Sequence, residues 1–360
     1  MVAPERRISR AVNVGGVRVG AGEPVVIQSM TNTNTADYSA TLEQISILHQ
    51  RGCELVRVAI SDSRAVEALE KIVAESPIPV IADIHFDVSL AHLAIEKGAA
   101  KVRINPGNVG GADKMLKLAE KAGVFGVPIR IGVNAGSLEK KIADKFGGAT
   151  PEALAESAYR YTTVLADAGF DDVVVSIKAS DVYTTINANR LFAEKTNYPI
   201  HLGVTEAGTP GQGVIKNAIG IGTLLAEGIG DTIRVSLTAP PEEEIEAARG
   251  ILQALGLRVF GPEIISCPTC GRCETDLISL AKKVEEILKD YQGPIKVAVM
   301  GCAVNGPGEA READIGISAG KRNGILFKKG KVIRTVNQEK LLEVFRSELA
   351  LYEKDNSLNT

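Results

Sequence analysis

Between residues 25 and 255 the chain repeats one pattern eight times: a short β-branched apolar run, then a longer amphipathic stretch. The apolar runs fall at 25–30, 55–60, 80–84, 101–105, 129–133, 173–178, 200–205 and 232–237. The amphipathic stretches between and after them lie at 41–51, 63–75, 89–97, 112–122, 151–168, 181–195, 212–227 and 242–255. A helix returning each strand to the start of the next makes neighbouring strands parallel. Eight such units in a row predict a closed (β/α)₈ TIM-type barrel. An open doubly wound sheet is the competing reading, but no GxGxxG turn follows the first strand.

A barrel of about 250 residues leaves roughly a hundred of the 360 residues over. The boundary is expected at Phe260, Gly261 and Pro262, giving a barrel over 1–260 and a smaller α+β domain over 261–360. The second part reads as a cysteine cluster, a helix at 275–290, an apolar strand at 295–300, a Gly-rich turn, further short strands and a terminal helix at 338–352. No run of eighteen apolar residues is present, so no membrane span is expected. Residues 1–10 are basic without an apolar segment behind them, so a secretory signal is not expected and the cytoplasm is the default. A net charge of −3 with 4% aromatic residues and no Trp leaves no footprint for nucleic acid. Any positive site must therefore be local.

Polar residues inside the strands indicate such a site. They are costly in a parallel strand covered on both faces. Here they recur near the C-terminal strand ends with spacing two, which puts them on one face. Asp83 and His85 form one such pair, as do Arg103 and Asn105, Ser176 and Lys178, and Arg234 and Ser236. Arg130 and Asn134 share a face with Gly132 between them, Arg57 stands alone, and Glu206 follows the seventh strand. These ends form the mouth where barrel active sites are built. Set against Asp83 and Glu206, the cations Arg57, Arg103, Arg130, Lys178 and Arg234 leave that mouth net positive. Guanidinium forks match phosphate oxygens, so a phosphorylated or diphosphorylated ligand is the natural counter-charge. Taken singly, an arginine could be half of a buried ion pair, His85 a hydrogen-bonded core histidine, and Glu206 an acid at a helix N-terminus. As a set, the cations have too few acids to pair with.

Four of the five cysteines lie within one segment: Cys267-Pro-Thr-Cys270-Gly-Arg-Cys273, then Cys302 before a Gly- and Pro-rich turn. In a long, otherwise Cys-poor chain this suits a metal or redox site in a reducing compartment. Zinc and a [4Fe–4S] cluster both accept such thiolates. The spacing lacks the paired CxxC of a zinc ribbon, and the turn after Cys302 offers N–H donors for cluster sulfides. For a fourth ligand, Cys273 and Glu309 are both open. Cys53 reads as a small buried side chain.

The segments IQSMTNT, ADIHFD, VRINPGN, RIGVN, LGVTEAG, CPTCGR and MGCAVNGPGEA together resemble the bacterial 4-hydroxy-3-methylbut-2-enyl diphosphate synthases over essentially the whole chain. The resemblance implies reductive opening of 2-C-methyl-D-erythritol 2,4-cyclodiphosphate with two electrons and loss of water. It implies a barrel followed by a [4Fe–4S] domain similar to part of sulfite and nitrite reductases, in a homodimer whose cluster domain caps the partner's barrel. It implies Cys267, Cys270 and Cys302 as thiolate ligands and Glu309 as a carboxylate ligand, leaving Cys273 a bystander. It implies Arg57, Arg103, Arg130, Lys178 and Ser236 as diphosphate contacts with Asn134 nearby, Glu206 as acid–base residue, and Asp83 and His85 in the pocket. The insertion of plant-type members is absent, because 260–265 runs directly into the cysteine domain. With no nicotinamide or flavin fingerprint, electrons are expected from flavodoxin or ferredoxin. A zinc-stabilised binding protein and a pterin-type synthase barrel are the rival readings. A radical enzyme using S-adenosylmethionine would need a CxxxCxxC near the barrel start, which is missing.

Overall fold

The computed structural model describes residues 4–109, 111–291, 293–302, 308 and 310–357. The chain forms two compact units, Met1–Arg258 and Val259–Thr360.

In the first unit, strands β3 (Val26–Met30), β4 (Leu55–Ile60), β5 (Val80–Ile84), β6 (Lys101–Ile104), β7 (Ile129–Asn134), β8 (Val173–Lys178), β9 (His201–Leu202) and β10 (Thr232–Ile233) form one parallel sheet in the order β8-β7-β6-β5-β4-β3-β10-β9. A parallel bridge from Val175 to Ile200 joins β8 to the approach of β9 and closes the ring. The helices that return the chain include α1 (Tyr38–Gln50), α2 (Ser63–Glu75), α3 (Val88–Glu96), α4 (Pro106–Val109), α5 (Ala112–Phe125), α6 (Lys140–Phe146), α7 (Pro151–Asp167), α8 (Val182–Lys195), α9 (Pro210–Ala226) and α10 (Pro241–Ala254). Asp37, Asp62, Asp87, Thr150 and Asp181 each accept a backbone N–H of the first helical turn, which sets where α1, α2, α3, α7 and α8 begin.

The seventh and eighth strands are shorter than the expected 200–205 and 232–237. Past Leu202 and Ile233 a side chain joins the two segments as well. The buried Asn217 of α9 accepts from Val204 N at 3.4 Å and donates to Ser236 O at 3.2 Å. Its amide ties the two segments together beside the backbone bonds Arg234 N to Leu202 O and Thr238 N to Gly208 O.

A hairpin not expected from the sequence, β1 (Val12–Val14) paired with β2 (Val17–Val19), plugs the other end. Its Val12, Val14 and Val19 pack on Val26, Leu55, Ile81 and Val174 at the starts of the strands. Its turn is Gly15-Gly16, at φ +58° and +95°, a geometry glycine adopts without cost. At Gly15 a Cβ would also come within 2.8 Å of Pro79. Above this valine layer the inward positions turn polar.

The second unit is a five-stranded sheet in the order β11 (Glu263–Ser266), β12 (Lys296–Met300), β13 (Ile315–Ala319), β14 (Asn323–Lys328), β15 (Lys331–Asn337). The first three strands run parallel and the last two antiparallel. Helices α11 (Leu277–Leu288) and α12 (Leu341–Ser357) supply Leu277, Val284, Leu288, Leu341, Phe345 and Leu349 to a core with Val297, Val299, Ile315, Ile317 and Leu326. Among the described residues no helix is long and apolar enough to cross a membrane.

Candidate active site

Strand register sets the charges of the barrel mouth side by side. Met30 pairs with Arg57, Asp83 with Arg103, and Arg103 with Arg130, on consecutive strands. Asp83 is 1% exposed. Its Oδ1 accepts from Arg103 Nη1 at 2.9 Å, and its Oδ2 lies 3.3 Å from Arg57 Nε and 3.8 Å from His85 Nε2. The Arg57 guanidinium also rests on Met30 Sδ, at 2.9 Å from Nη2 and 3.1 Å from Nε. Arg103 reaches across β7 because position 132 is glycine: a Cβ there would stand 2.6 Å from Arg103 Nε. Arg130 is buried, and its Nε and Nη1, like Arg103 Nε and the fully buried Lys101 Nζ, find no hydrogen-bond partner among the described residues.

Among the described residues, six basic side chains, Arg57, Lys101, Arg103, Arg130, Lys178 and Arg234, thus share the barrel interior and its mouth with two carboxylates. The second carboxylate is Glu244 of α10. It takes Arg234 Nε and Nη2 at 3.3 Å each, Ser29 Oγ at 3.2 Å and Leu237 N at 3.1 Å. Burial pushes the Asp83 carboxyl up, yet Arg57, Arg103 and Arg130 together hold it well below the usual carboxylate range. Burial draws Lys178 well below the usual amine value, and Arg130, Arg234, Arg57 and Arg103 add to that fall. Donors buried without partners and cations without counter-charges are both expensive. A multiply charged anion satisfies both needs at once.

The cysteines lie on one edge of the second unit. β11 and β12 are parallel neighbours, with Ser266 opposite Val299, so Cys267 and Cys302 follow adjacent strand ends. Gly301 N donates to Cys267 Sγ at 3.3 Å, and a Cβ on Gly301 would come 2.6 Å from Cys273 Sγ. Cys273 Sγ itself donates to Thr275 O at 3.2 Å. Cys270 is exposed, and the Arg272 backbone N–H and guanidinium hold its thiol below the usual range. All four are free thiols. Among the described residues no three Cys, His, Asp or Glu side chains converge as a ready metal site. Glu309 lies outside the described residues, as does most of the turn after Cys302. The donor chemistry nevertheless fits an iron–sulfur group: soft thiols gather at adjacent strand ends, one already accepts a backbone N–H, and the glycine between them leaves room for sulfur.

Residues 9–249 match the family model described as the GcpE TIM-barrel domain, and residues 263–351 match the GcpE protein C-terminal domain. The chain belongs to the GcpE family. A 4-hydroxy-3-methylbut-2-en-1-yl diphosphate synthase (flavodoxin) of Natranaerobius thermophilus is 56% identical, across 92% of this chain and 93% of the relative. The protein of the same name from Caldanaerobacter subterraneus subsp. tengcongensis is 53% identical, across 96% and 97%. Among solved structures, the barrel resembles dihydropteroate synthase of Yersinia pestis at a TM-score of 0.50 and 11% identity, covering 68% of this chain and 98% of that one. That likeness shows the fold alone.

Within this GcpE chain the predicted site residues separate into three groups. Asp83 ion-pairs with Arg57 and Arg103, Arg130 stands in register beside Arg103, and Asn134 accepts from Arg103 Nη2 at 3.2 Å once its side-chain amide is turned over. Lys178 stands in register with Asn134, and Ser236 is half-buried past β10. His85, its side chain 45% exposed, and Glu206 lie at the edge. Glu206 is solvent-exposed, with φ +52° in the β9–α9 loop. Such a left-handed backbone is strained in a non-glycine residue and occurs disproportionately at functional sites. The acid that neutralises Arg234 is Glu244 rather than Glu206. The apolar stripe Ile245, Ala248, Ile251 and Leu252 of α10 recurs at helical spacing, and it is this periodicity that puts Glu244 rather than Glu242 or Glu243 on the buried face. Asn105 fastens loops, donating to Ser137 Oγ at 2.6 Å and accepting from Gly107 N at 3.1 Å. Cys53 is buried and donates to Leu55 O, and burial pushes its thiol up to about 12.

Proposed function

We propose that this chain is the enzyme that reductively opens 2-C-methyl-D-erythritol 2,4-cyclodiphosphate to 4-hydroxy-3-methylbut-2-enyl diphosphate. The observation that carries this reading is the barrel interior, where among the described residues six basic side chains stand against two carboxylates and the buried Arg130 keeps two nitrogens without partners. The name shared by relatives more than 50% identical supports the same reaction.

In this reading Arg57, Arg103, Arg130, Lys178, Asn134 and Ser236 bind the two phosphates, and Asp83 orients Arg57 and Arg103. The substrate takes up two electrons and a proton, a C–O bond to the bridging phosphate breaks, and water leaves. Glu206 supplies the proton with which the departing hydroxyl leaves as water, held in place by its constrained backbone, and His85 stands beside Asp83 at the rim. A [4Fe–4S] cluster held by Cys267, Cys270, Cys302 and Glu309 would supply single electrons and Lewis acidity. A flavodoxin or ferredoxin reloads it. Free thiols of this kind belong in a reducing compartment, and the cytoplasm provides one.

Replacing Arg130 by Met keeps bulk and removes the charged donors. Binding of the cyclic diphosphate, followed calorimetrically, should weaken about ten- to a hundredfold. Unchanged binding in both Arg130→Met and Arg103→Met would remove the mouth as the substrate site. We place the working site in a homodimer whose cluster domain caps the partner's barrel. Mixing a Cys302→Ser chain with an Arg130→Met chain should then restore activity after subunit exchange. No recovery despite demonstrated exchange would put the whole site within one chain.

A further inference from the structure

We infer that His201, held by Thr232, is a positioning residue for Lys178, and that the two side chains form a unit which takes up one proton when a dianion enters the barrel mouth. The inference rests on the proposed role of Lys178 in binding the diphosphate, and extends it to a residue to which that reading gives no part.

His201 lies on β9 between β8 and β10 and is fully buried. Thr232 stands opposite it in register. Its Nδ1 is 2.7 Å from Thr232 Oγ1 and its Nε2 is 3.3 Å from Lys178 Nζ. Two residues on, a Cβ at Gly203 would stand 2.5 Å from that same Nζ. The amine is therefore wedged between an imidazole and bare backbone, in one place. Among the described residues no carboxylate forms an ion pair with Lys178. The groups that face it are Arg57 from β4, Arg103 from β6, Arg130 from β7, Arg234 from β10 and His201 itself. Lys101 from β6 faces His201 as well.

In this setting the imidazole is neutral. Burial first, then Lys178, Arg130 and Lys101, keep it well below its usual value. A neutral ring has one N–H and one lone pair, so its partners must be complementary. With the proton on Nδ1, the ring donates to Thr232 Oγ1 and Nε2 accepts from Lys178. With the proton on Nε2, the ring can only donate to an unprotonated Lys178 amine, and the Thr232 hydroxyl then donates to Nδ1. An ammonium has no lone pair and admits the first arrangement alone. In the empty mouth the surrounding cations favour the amine. A bound dianion favours the ammonium, which gains its proton from solvent, and Nε2 holds that ammonium toward the ligand.

The arginines keep their protons throughout. Lysine is the side chain here whose charge can change when a dianion enters the mouth.

The sign of the pH effect follows. Lys178 has a higher pKa with the anion bound than without. Affinity is full below the empty-site value and is lost as pH rises toward the bound-state value, by up to tenfold per pH unit between them. The test is calorimetric titration of the full-length holoprotein with the cyclic diphosphate, and separately with sulfate, in buffers of different ionisation heat. Neither anion exchanges protons of its own near neutral pH. The wild type should take up about one proton per anion. His201→Leu should bind about tenfold more weakly and lose the uptake. His201→Gln, which offers an acceptor near the Nε2 position, should regain most of the affinity. With only four histidines in the chain, nitrogen-15 resonances of the bound state should show His201 neutral and protonated on Nδ1. A charged imidazole at His201, no proton uptake by the wild type, or a His201→Leu variant equal to it would each overturn the inference. If sulfate binds with uptake and the cyclic diphosphate does not bind, the substrate reading falls and the His201–Lys178 unit stands. If the cyclic diphosphate is bound and turned over without uptake, the reverse holds. Binding of neither anion removes both.

Discussion

Asp83→Asn is expected to destabilise the barrel by about 3–5 kcal/mol, the usual consequence of removing one partner from a buried ion pair. The carboxylate is 1% exposed and neutralises both Arg57 and Arg103. The substitution keeps the shape and leaves two guanidinium groups facing Arg130 without the carboxylate that pairs with both. Urea denaturation read by circular dichroism measures the loss. Added dianion should stabilise the variant more than the wild type, because it supplies the missing charge. The pH dependence has a defined sign. The folded-state pKa of Asp83 is depressed, so its contribution is present above the unfolded carboxyl value, about 4, and is lost as pH falls toward the folded value. Wild-type stability should therefore drop below about pH 4 by more than that of the variant. A variant within a few tenths of a kcal/mol of wild type, with the same acid profile, would show that Asp83 is not what holds the cations together.

The second large effect is expected at the cysteines. On the proposed ligand assignment, Cys302→Ser should lose iron, visible absorbance and all measurable turnover in anaerobically prepared protein, because a serine hydroxyl is not an anionic soft ligand at neutral pH. Glu309→Ala should abolish turnover and make the cluster labile. Cys273→Ser should keep both cluster and activity, since that thiol donates to Thr275 O rather than standing free. Iron and sulfide analysis alongside activity decides among them. Cluster lost in Cys273→Ser but retained in Glu309→Ala would exchange the two assignments.

Much of the barrel was legible because its signals are local. The alternation of β-branched runs with amphipathic stretches depends on near neighbours in sequence, and so do the aspartate and threonine caps that start five of its helices. The plugging hairpin was legible in principle: Val-Asn-Val-Gly-Gly-Val-Arg-Val alternates around a Gly-Gly turn. It escaped because three-residue strands carry little periodicity. The early ends of β9 and β10 were not legible, because the side-chain bonds made there come from Asn217 on the helix between the two strands.

By itself the sequence determined the fold class, the spacing-two stripe of cations near the strand ends, and the clustering of thiols in the second unit. Side-chain periodicity in a strand and ligand spacing along a chain are properties of single segments. Tertiary structure alone decided which charges meet. Strand register put Asp83 against Arg103 and that residue against Arg130. The approach of α10 chose Glu244 over Glu206 as the partner of Arg234. Ring closure brought His201 to Lys178. Each of these pairings joins separate elements, and its energy depends on burial and distances that exist only once the barrel has closed.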